Sequence, residues 1–159
     1  DLAKIEANKK ILMKEENLSK LTENEILTYE SLFYEKKIKL KYNIKKNIKY
    51  TCNGDLIRQL LGILIDNSIK HTNENGNVTV NLYKSNKDII LEVKNDGDEI
   101  KKEDEQKIFE RFYKIDESRN RNENRYGLGL AIAKDIVEKH NAKISASSKK
   151  GITTFKVTF

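Results

Sequence analysis

The chain has one cysteine, no proline and no apolar run approaching the about 20 residues that a membrane-spanning helix needs. A lone cysteine excludes a disulfide framework and a cysteine-based zinc site. Cys52 is therefore expected as a small apolar residue in the core, which weakly favours a reducing compartment. The absence of proline carries no functional reading. No signal peptide opens the chain, and no segment repeats. Neither GxxxxGK[ST] nor GxGxxG occurs, so a P-loop and a Rossmann site have no support. Only two histidines are available for any imidazole chemistry, His71 and His140.

What is present is a chain of 159 residues, 37% apolar and 35% charged. That composition fits one globular domain with a proper core. The net charge is +6. Lysines alternate with Glu and Asp instead of forming a stripe, so nucleic-acid binding is not expected. The excess positive charge suits a site for anionic phosphates. The chain opens at Asp1 in the manner of a helix interior, so it reads as a fragment, with room for membrane segments upstream.

Residues 1–20 read as a helix with apolar positions Leu2, Ile5 and Leu12. Thr22 and Glu25 have capping-box spacing for a second helix, with Ile26, Tyr29 and Phe33 on one face. Ile38–Tyr42 alternates as a strand, and Ile48–Cys52 fits a short one. Asn53 or Asp55 can cap an apolar helix running from Leu56 to Thr72. A hairpin follows, with Val78, Val80 and Leu82 alternating, a turn at Ser85–Asp88, and Ile89, Leu91, Val93 and Asn95 on one face of the return strand. A short helix is expected over 103–112, with Phe109 and Phe112 both in the core. Residues 113–126 are polar and long enough to be a functional loop, mobile without a ligand. A helix from Leu128 to His140 and a closing hairpin around Lys149–Gly151 complete the chain.

Four constellations carry possible chemistry. Ile63, Asn67, Lys70 and His71 fall at i, i+4, i+7 and i+8, on one helix face. That face offers an amide oxygen suited to a metal, a cation suited to phosphate, and a ring. Asn95, Asp96, Gly97 and Ile100 end a strand with a buried amide, which must find a hydrogen-bond partner. Tyr113 and Lys114 stand at the mouth of the polar loop. Gly127, Leu128 and Gly129 open a helix whose exposed N–H groups favour an anion. Each alone has an ordinary explanation: a solvated helix end, a polar turn, a pair of loop glycines.

In this order the four segments resemble the ATP-binding catalytic domain of sensor histidine kinases, within the fold shared with gyrase, Hsp90 and MutL-type ATPases. "LLGILIDNSIKHT" is similar to the N box, "VKNDGDEI" to the first glycine box, "IFERFYKID" to the F box and "YGLGLAIAKDIVEKH" to the second glycine box. The likeness covers roughly residues 22–159, with 1–21 expected as the end of a dimerisation helix and its linker. It implies a two-layer α/β sandwich, a mixed and mostly antiparallel sheet with helices on one face. It implies ATP as substrate and Mg²⁺ held by Asn67. Lys70 and Lys114 would act on the phosphates as the catalytic cations. His71 would line the adenine or ribose, Asn95 would read adenine with Gly97 and Ile100 beside it, and Tyr113 would belong to a lid. Gly127, Leu128 and Gly129 would make room for phosphates.

Four positions depart from the family pattern: Ile63 for the first N-box Asn, Asn95 for the adenine Asp, Glu99 for a glycine, and Arg125 for another. Ile63 discriminates between reactions. Related ATPases place a Glu there as a base for water, and Ile63 accepts no proton. An imidazole is already a nucleophile, so transfer to histidine needs positioning and charge neutralisation instead. The resemblance therefore implies γ-phosphate transfer to a histidine on an upstream dimerisation domain. Neither His71 nor His140 has the acidic neighbour of such an acceptor. A response regulator, a homodimeric longer protein with this fragment monomeric, and a cytoplasmic domain of a membrane-bound sensor follow from the same likeness. Its rivals are a nucleotide-binding regulatory module without kinase activity, and an ATPase or serine kinase of the same fold.

Overall fold

The computed structural model describes residues 10–114 and 125–159; the side chains of Lys114, Arg125 and Tyr126 lie outside that description. The loop expected over 113–126 therefore falls largely outside the described residues, as does most of the helix expected over 1–20.

The described part of residues 1–20 corrects the helical expectation. Lys14–Asn17 is a strand, β1, which pairs antiparallel with β3 (Lys49–Cys52) in a two-stranded ribbon. Leu12 just before it is 81% exposed, so no apolar stripe exists there to hold a helix. Helix α1 (Leu18–Glu35) starts four residues before the Thr22–Glu25 box. Asn17 is the true cap, its side chain accepting from the Lys20 amide at 3.1 Å. Thr22 is instead buried inside the helix, and its hydroxyl donates to the Leu18 carbonyl at 2.8 Å. The buried stripe Leu18, Leu21, Ile26 and Phe33 sets the register, because burial of these side chains outweighs a cap motif.

Strand β2 (Lys39–Ile44) leads through β3 into helix α2 (Gly54–His71). The hairpin β4 (Asn77–Ser85) and β5 (Asp88–Asp96) has the expected register, with Ser85 opposite Asp88. Two 3₁₀ turns, Lys102–Asp104 and Lys107–Phe109, replace the expected helix. Phe109 packs edge-on to Phe155, with ring centroids 6.3 Å apart. Phe112 is not in the core: its backbone is left-handed (φ 59°) and the side chain is 73% exposed. The helical turn ends at Phe109, so a residue three positions on no longer shares its face. Short strands β6 (Tyr113–Lys114) and β7 (Arg125–Tyr126) pair with each other. Helix α3 (Leu128–Lys139) and the hairpin β8 (Lys143–Lys149) and β9 (Ile152–Thr158) close the fold.

The main sheet runs β2-β4-β5-β9-β8. Only β2 and β4 are parallel; the other neighbours are antiparallel. Val78, Val80, Leu82, Leu91, Val93, Phe155 and Val157 bury one face of the sheet against Leu60, Leu61, Leu64, Ile65, Ala133 and Val137 of the helices. This is the expected two-layer α/β sandwich. Cys52 is fully buried, as expected, and burial pushes its thiol up to about 11, far from the range where thiolates react.

His140 has a structural role. Its Nδ1 lies 2.8 Å from the Ile136 carbonyl, and Nε2 accepts from the Asn53 amide at 3.1 Å. Both nitrogens are engaged, which ties the end of α3 to the cap of α2.

Candidate functional site

Helix α2 is well specified at both ends. The Asn53 side chain accepts from the Leu56 amide at 3.0 Å, Asp55 lies in the first turn, and Lys70 and His71 lie in the last. Its apolar stripe is Ile57, Leu60, Leu61, Leu64, Ile65 and Ile69. Asn67 stands at the edge of that stripe, half-buried, with its amide nitrogen fully shielded and without a hydrogen-bond partner. The two ends of a carboxamide exchange by a rotation of χ2, so one buried polar end awaits a partner.

A seam joins the end of α2 to the end of β5. Thr72 forms a β-bridge with Gly97, and the Asn73 amide donates to the Asp96 carbonyl at 3.4 Å. The Asp96 carboxylate holds Asn77 through its amide at 2.9 Å and its side chain at 3.0 Å. The seam thus brings together two motifs more than twenty residues apart in sequence. Asn95, 2% exposed, lies next to it. Its Nδ2 donates to the Asp96 carbonyl at 3.2 Å, while Oδ1 is buried without a partner. The internal bond orients the amide and leaves an acceptor free. Ile100 is buried beside this strand end.

His71 is buried at the same junction. Burial is the main cause that lowers its pKa; the Asp98 carboxylate opposes the shift and Lys70 reinforces it. The unfolded chain binds a proton near pH 6.5, whereas folded His71 stays neutral to a lower pH. More protons are then bound by the unfolded state, so stability falls as pH drops through the window that opens at about 6.5. His71→Gln is expected to flatten unfolding free energy against pH between about 7 and 5, measured by urea titration. An unchanged slope would assign the acid sensitivity to other groups.

Lys70 is exposed and pairs with Asp66 at 3.1 Å, an i, i+4 contact in solvent. Such pairs are worth little, so the ammonium can be redirected at small cost. The Tyr113 hydroxyl donates to Asp104 at 2.6 Å, and this bond is the main reason its pKa is pushed up to about 12. Tyr113 is thereby pinned to the 3₁₀ turn Lys102–Asp104. Lys114 is placed by backbone pairing with Arg125.

The start of α3 is open. Gly127 at the cap provides no side-chain hydrogen bond, and the first turn contains no acid. Its N–H groups are available to an anion. Leu128 is exposed, and a methyl added at Gly129 would touch Ile63 Cγ2 at 3.5 Å. Ile63 of α2 thus faces the opening of α3 with a hydrocarbon group. Among the described residues no cluster of three or more His, Cys, Asp or Glu can hold a metal. Sequence reasoning missed Thr153, buried on β9 directly opposite Asn95. Its burial depends on a pairing about sixty residues long, which no local pattern reveals.

Residues 52–159 match the family described as histidine kinase-, DNA gyrase B-, and HSP90-like ATPase. The chain belongs to this family. Among curated members, the signal transduction histidine-protein kinase ArlS of Staphylococcus haemolyticus is 39% identical over 116 residues, which is 72% of this chain and 26% of ArlS. The sensor protein DltS of Streptococcus agalactiae is 35% identical over 145 residues, 91% of this chain and 36% of DltS. The chain therefore spans about a quarter to a third of these relatives. The nucleotide-free catalytic domain of histidine kinase ThkA has the same fold, with a TM-score of 0.81 at 23% identity, covering 93% of this chain and 95% of that domain. ThkA has also been solved in complex with the response regulator protein TrrA, and it superposes with a TM-score of 0.81 at 22% identity over 99% of this chain and 45% of ThkA. The fold and the nucleotide-binding family expected from the sequence are both borne out.

Proposed function

We propose that this chain is the catalytic domain of a two-component sensor histidine kinase, which binds ATP and passes its γ-phosphate to a histidine on a dimerisation domain upstream of it. The observation that carries the reading is a pair of buried, unsatisfied amide ends, on Asn67 and Asn95, at elements stitched together beside an uncapped helix start. A buried polar group without a partner costs about 1–3 kcal/mol, so a fold retains it where a ligand completes it.

The roles follow from what each residue presents. Asn95 Oδ1 accepts from the adenine amine, with Gly97 and Ile100 shaping the pocket and His71 lining it as a neutral ring. The α3 start, through Gly127, Leu128 and Gly129, receives the phosphates. Lys70 leaves Asp66 for them, and Lys114 supplies a second cation from the strand that Tyr113 anchors. Mg²⁺ supplies charge neutralisation on the phosphates. One amide ligand and, among the described residues, no carboxylate cage fit an ion that keeps its waters and is bound largely through the substrate, so Asn67 would hold it. Ile63 offers no base to activate water, which favours transfer to imidazole over hydrolysis. By this reading the acceptor histidine, the homodimer contacts and the response regulator all belong to the longer protein. That longer protein is a membrane-bound sensor, with this domain on the cytoplasmic side.

The test is calorimetric titration with ATP, with and without Mg²⁺. The wild-type chain is expected to bind ATP more tightly with the ion, and Asn67→Ala to lose most of that difference. An equal response to Mg²⁺ in both would remove Asn67 from the metal site.

A further inference from the structure

The loop that follows Asn95 is closed on itself by a ring of hydroxyls from the last hairpin. The Ile100 amide donates to Ser148 Oγ at 2.8 Å. Ser148 Oγ and Thr153 Oγ1 lie 2.6 Å apart, and Thr153 Oγ1 donates to the Asp98 carbonyl at 3.0 Å. Each hydroxyl has one proton. Thr153 spends its proton on Asp98, so the proton between the hydroxyls belongs to Ser148. The direction is fixed: Ile100 N–H to Ser148, Ser148 to Thr153, Thr153 to Asp98. Both ends of the segment 98–100 are therefore held by one directional chain, whose members polarise one another. The Glu99 side chain adds an exposed clasp, accepting from the Gly151 amide at 2.7 Å across the same gap.

This arrangement gives Glu99 a reason to stand where the family pattern has glycine. It also links the nucleotide loop to residues about fifty positions away. Thr153 pairs in register with Asn95, so the ring borders the buried amide that the proposed function assigns to adenine.

We infer that Ser148 is a positioning residue for nucleotide binding: it holds the Gly97–Ile100 loop in its bound shape before the nucleotide arrives. The inference rests on the nucleotide reading above. Ser148→Ala leaves the Ile100 amide without its acceptor and Thr153 without its donor. A preformed loop binds without an ordering cost, so losing the ring weakens binding by about five- to tenfold.

The experiment uses this chain, with ATP and Mg²⁺ as the probe. Ser148→Ala is expected to raise the ATP dissociation constant about five- to tenfold, and Ser148→Thr to restore it, because a hydroxyl and not bulk is required. In the nucleotide-free wild type the Ile100 amide is expected to exchange slowly although it lies outside regular structure. Wild-type binding with an unchanged constant in Ser148→Ala would overturn this inference alone. Rapid exchange at Ile100 would overturn it even if the alanine variant did not fold. Failure of the wild type to bind ATP at all would overturn the nucleotide reading and this inference with it.

Discussion

Asn95→Ala is expected to weaken ATP binding by about 1–3 kcal/mol while leaving the fold nearly as stable as before. The two effects separate because of how the amide is used. In the protein without nucleotide, the side chain makes one bond, 3.2 Å to the Asp96 carbonyl, and leaves Oδ1 buried and unpaired. Removing it loses the bond but also removes the orphaned acceptor, and these oppose each other. A stability change within about 1 kcal/mol follows. With ATP bound, Oδ1 is proposed to accept from the exocyclic amine, and its loss has no compensation. The same geometry discriminates between bases. Guanine presents a carbonyl where adenine presents an amine, and two acceptors facing each other repel. Asn95→Ala should therefore blunt the preference for ATP over GTP. Titration with both nucleotides and urea unfolding of the same variant decide the matter. Unchanged affinity and selectivity would place the adenine elsewhere; a large loss of stability would mean that Asn95 serves the fold alone.

Gly97→Ala is expected to be the most damaging single methyl in the described structure. A Cβ there would lie 2.1 Å from the His71 carbonyl oxygen and 3.3 Å from Thr72 Cα, at a φ of +142°. All the atoms it meets are backbone, at the β-bridge that joins α2 to β5. Neither side can turn away as a flexible side chain would. A cost of about 3 kcal/mol or more, or failure to fold, is expected. Gly129→Ala is the comparison. Its Cβ would make an ordinary contact at 3.5 Å with Ile63, in the first turn of α3, where alanine is favoured over glycine by less than the about 1 kcal/mol of a helix interior. Urea unfolding of the two variants should move in opposite directions. A mild effect at position 97 would show that the seam gives way more easily than its geometry implies.

Much of this was legible in the sequence because it is written locally. The period of two in Val78, Val80 and Leu82 and in Leu91, Val93 and Asn95 gave both the hairpin and the inward face of Asn95. Of the two candidate caps, Asn53 and Asp55, Asn53 is the one that caps α2. The order of the four boxes anticipated the family. What was missed depends on distant partners. β1 is a strand only because β3 is there to pair with it, and its own residues, Lys14 to Asn17, show no alternation of apolar side chains. The Thr22–Glu25 box was a plausible start overruled by the burial of Leu18 and Leu21. Phe112 was assigned to the core from a spacing that holds only in a continuous helix. In the candidate site, the faces that carry Asn67 and Asn95 could be read, but not that each amide has a buried end without a partner. Pinning of Tyr113 by Asp104 and the hydroxyls of Ser148 and Thr153 arise from tertiary contacts alone.

The position of β9 sets an order of events during folding. The hairpins β4–β5 and β8–β9 join neighbours in sequence and can form early. The pairing of β5 with β9 brings Asn95 to Thr153 and must close a loop of about sixty residues, a slower step with a larger entropy to overcome. Asn95 therefore lacks Thr153 beside it until β9 docks. Before β9 docks, every box of the motif is present in the chain and the strand that borders Asn95 is not yet in place. The proposed nucleotide pocket is thus completed by a strand that none of the four boxes contains.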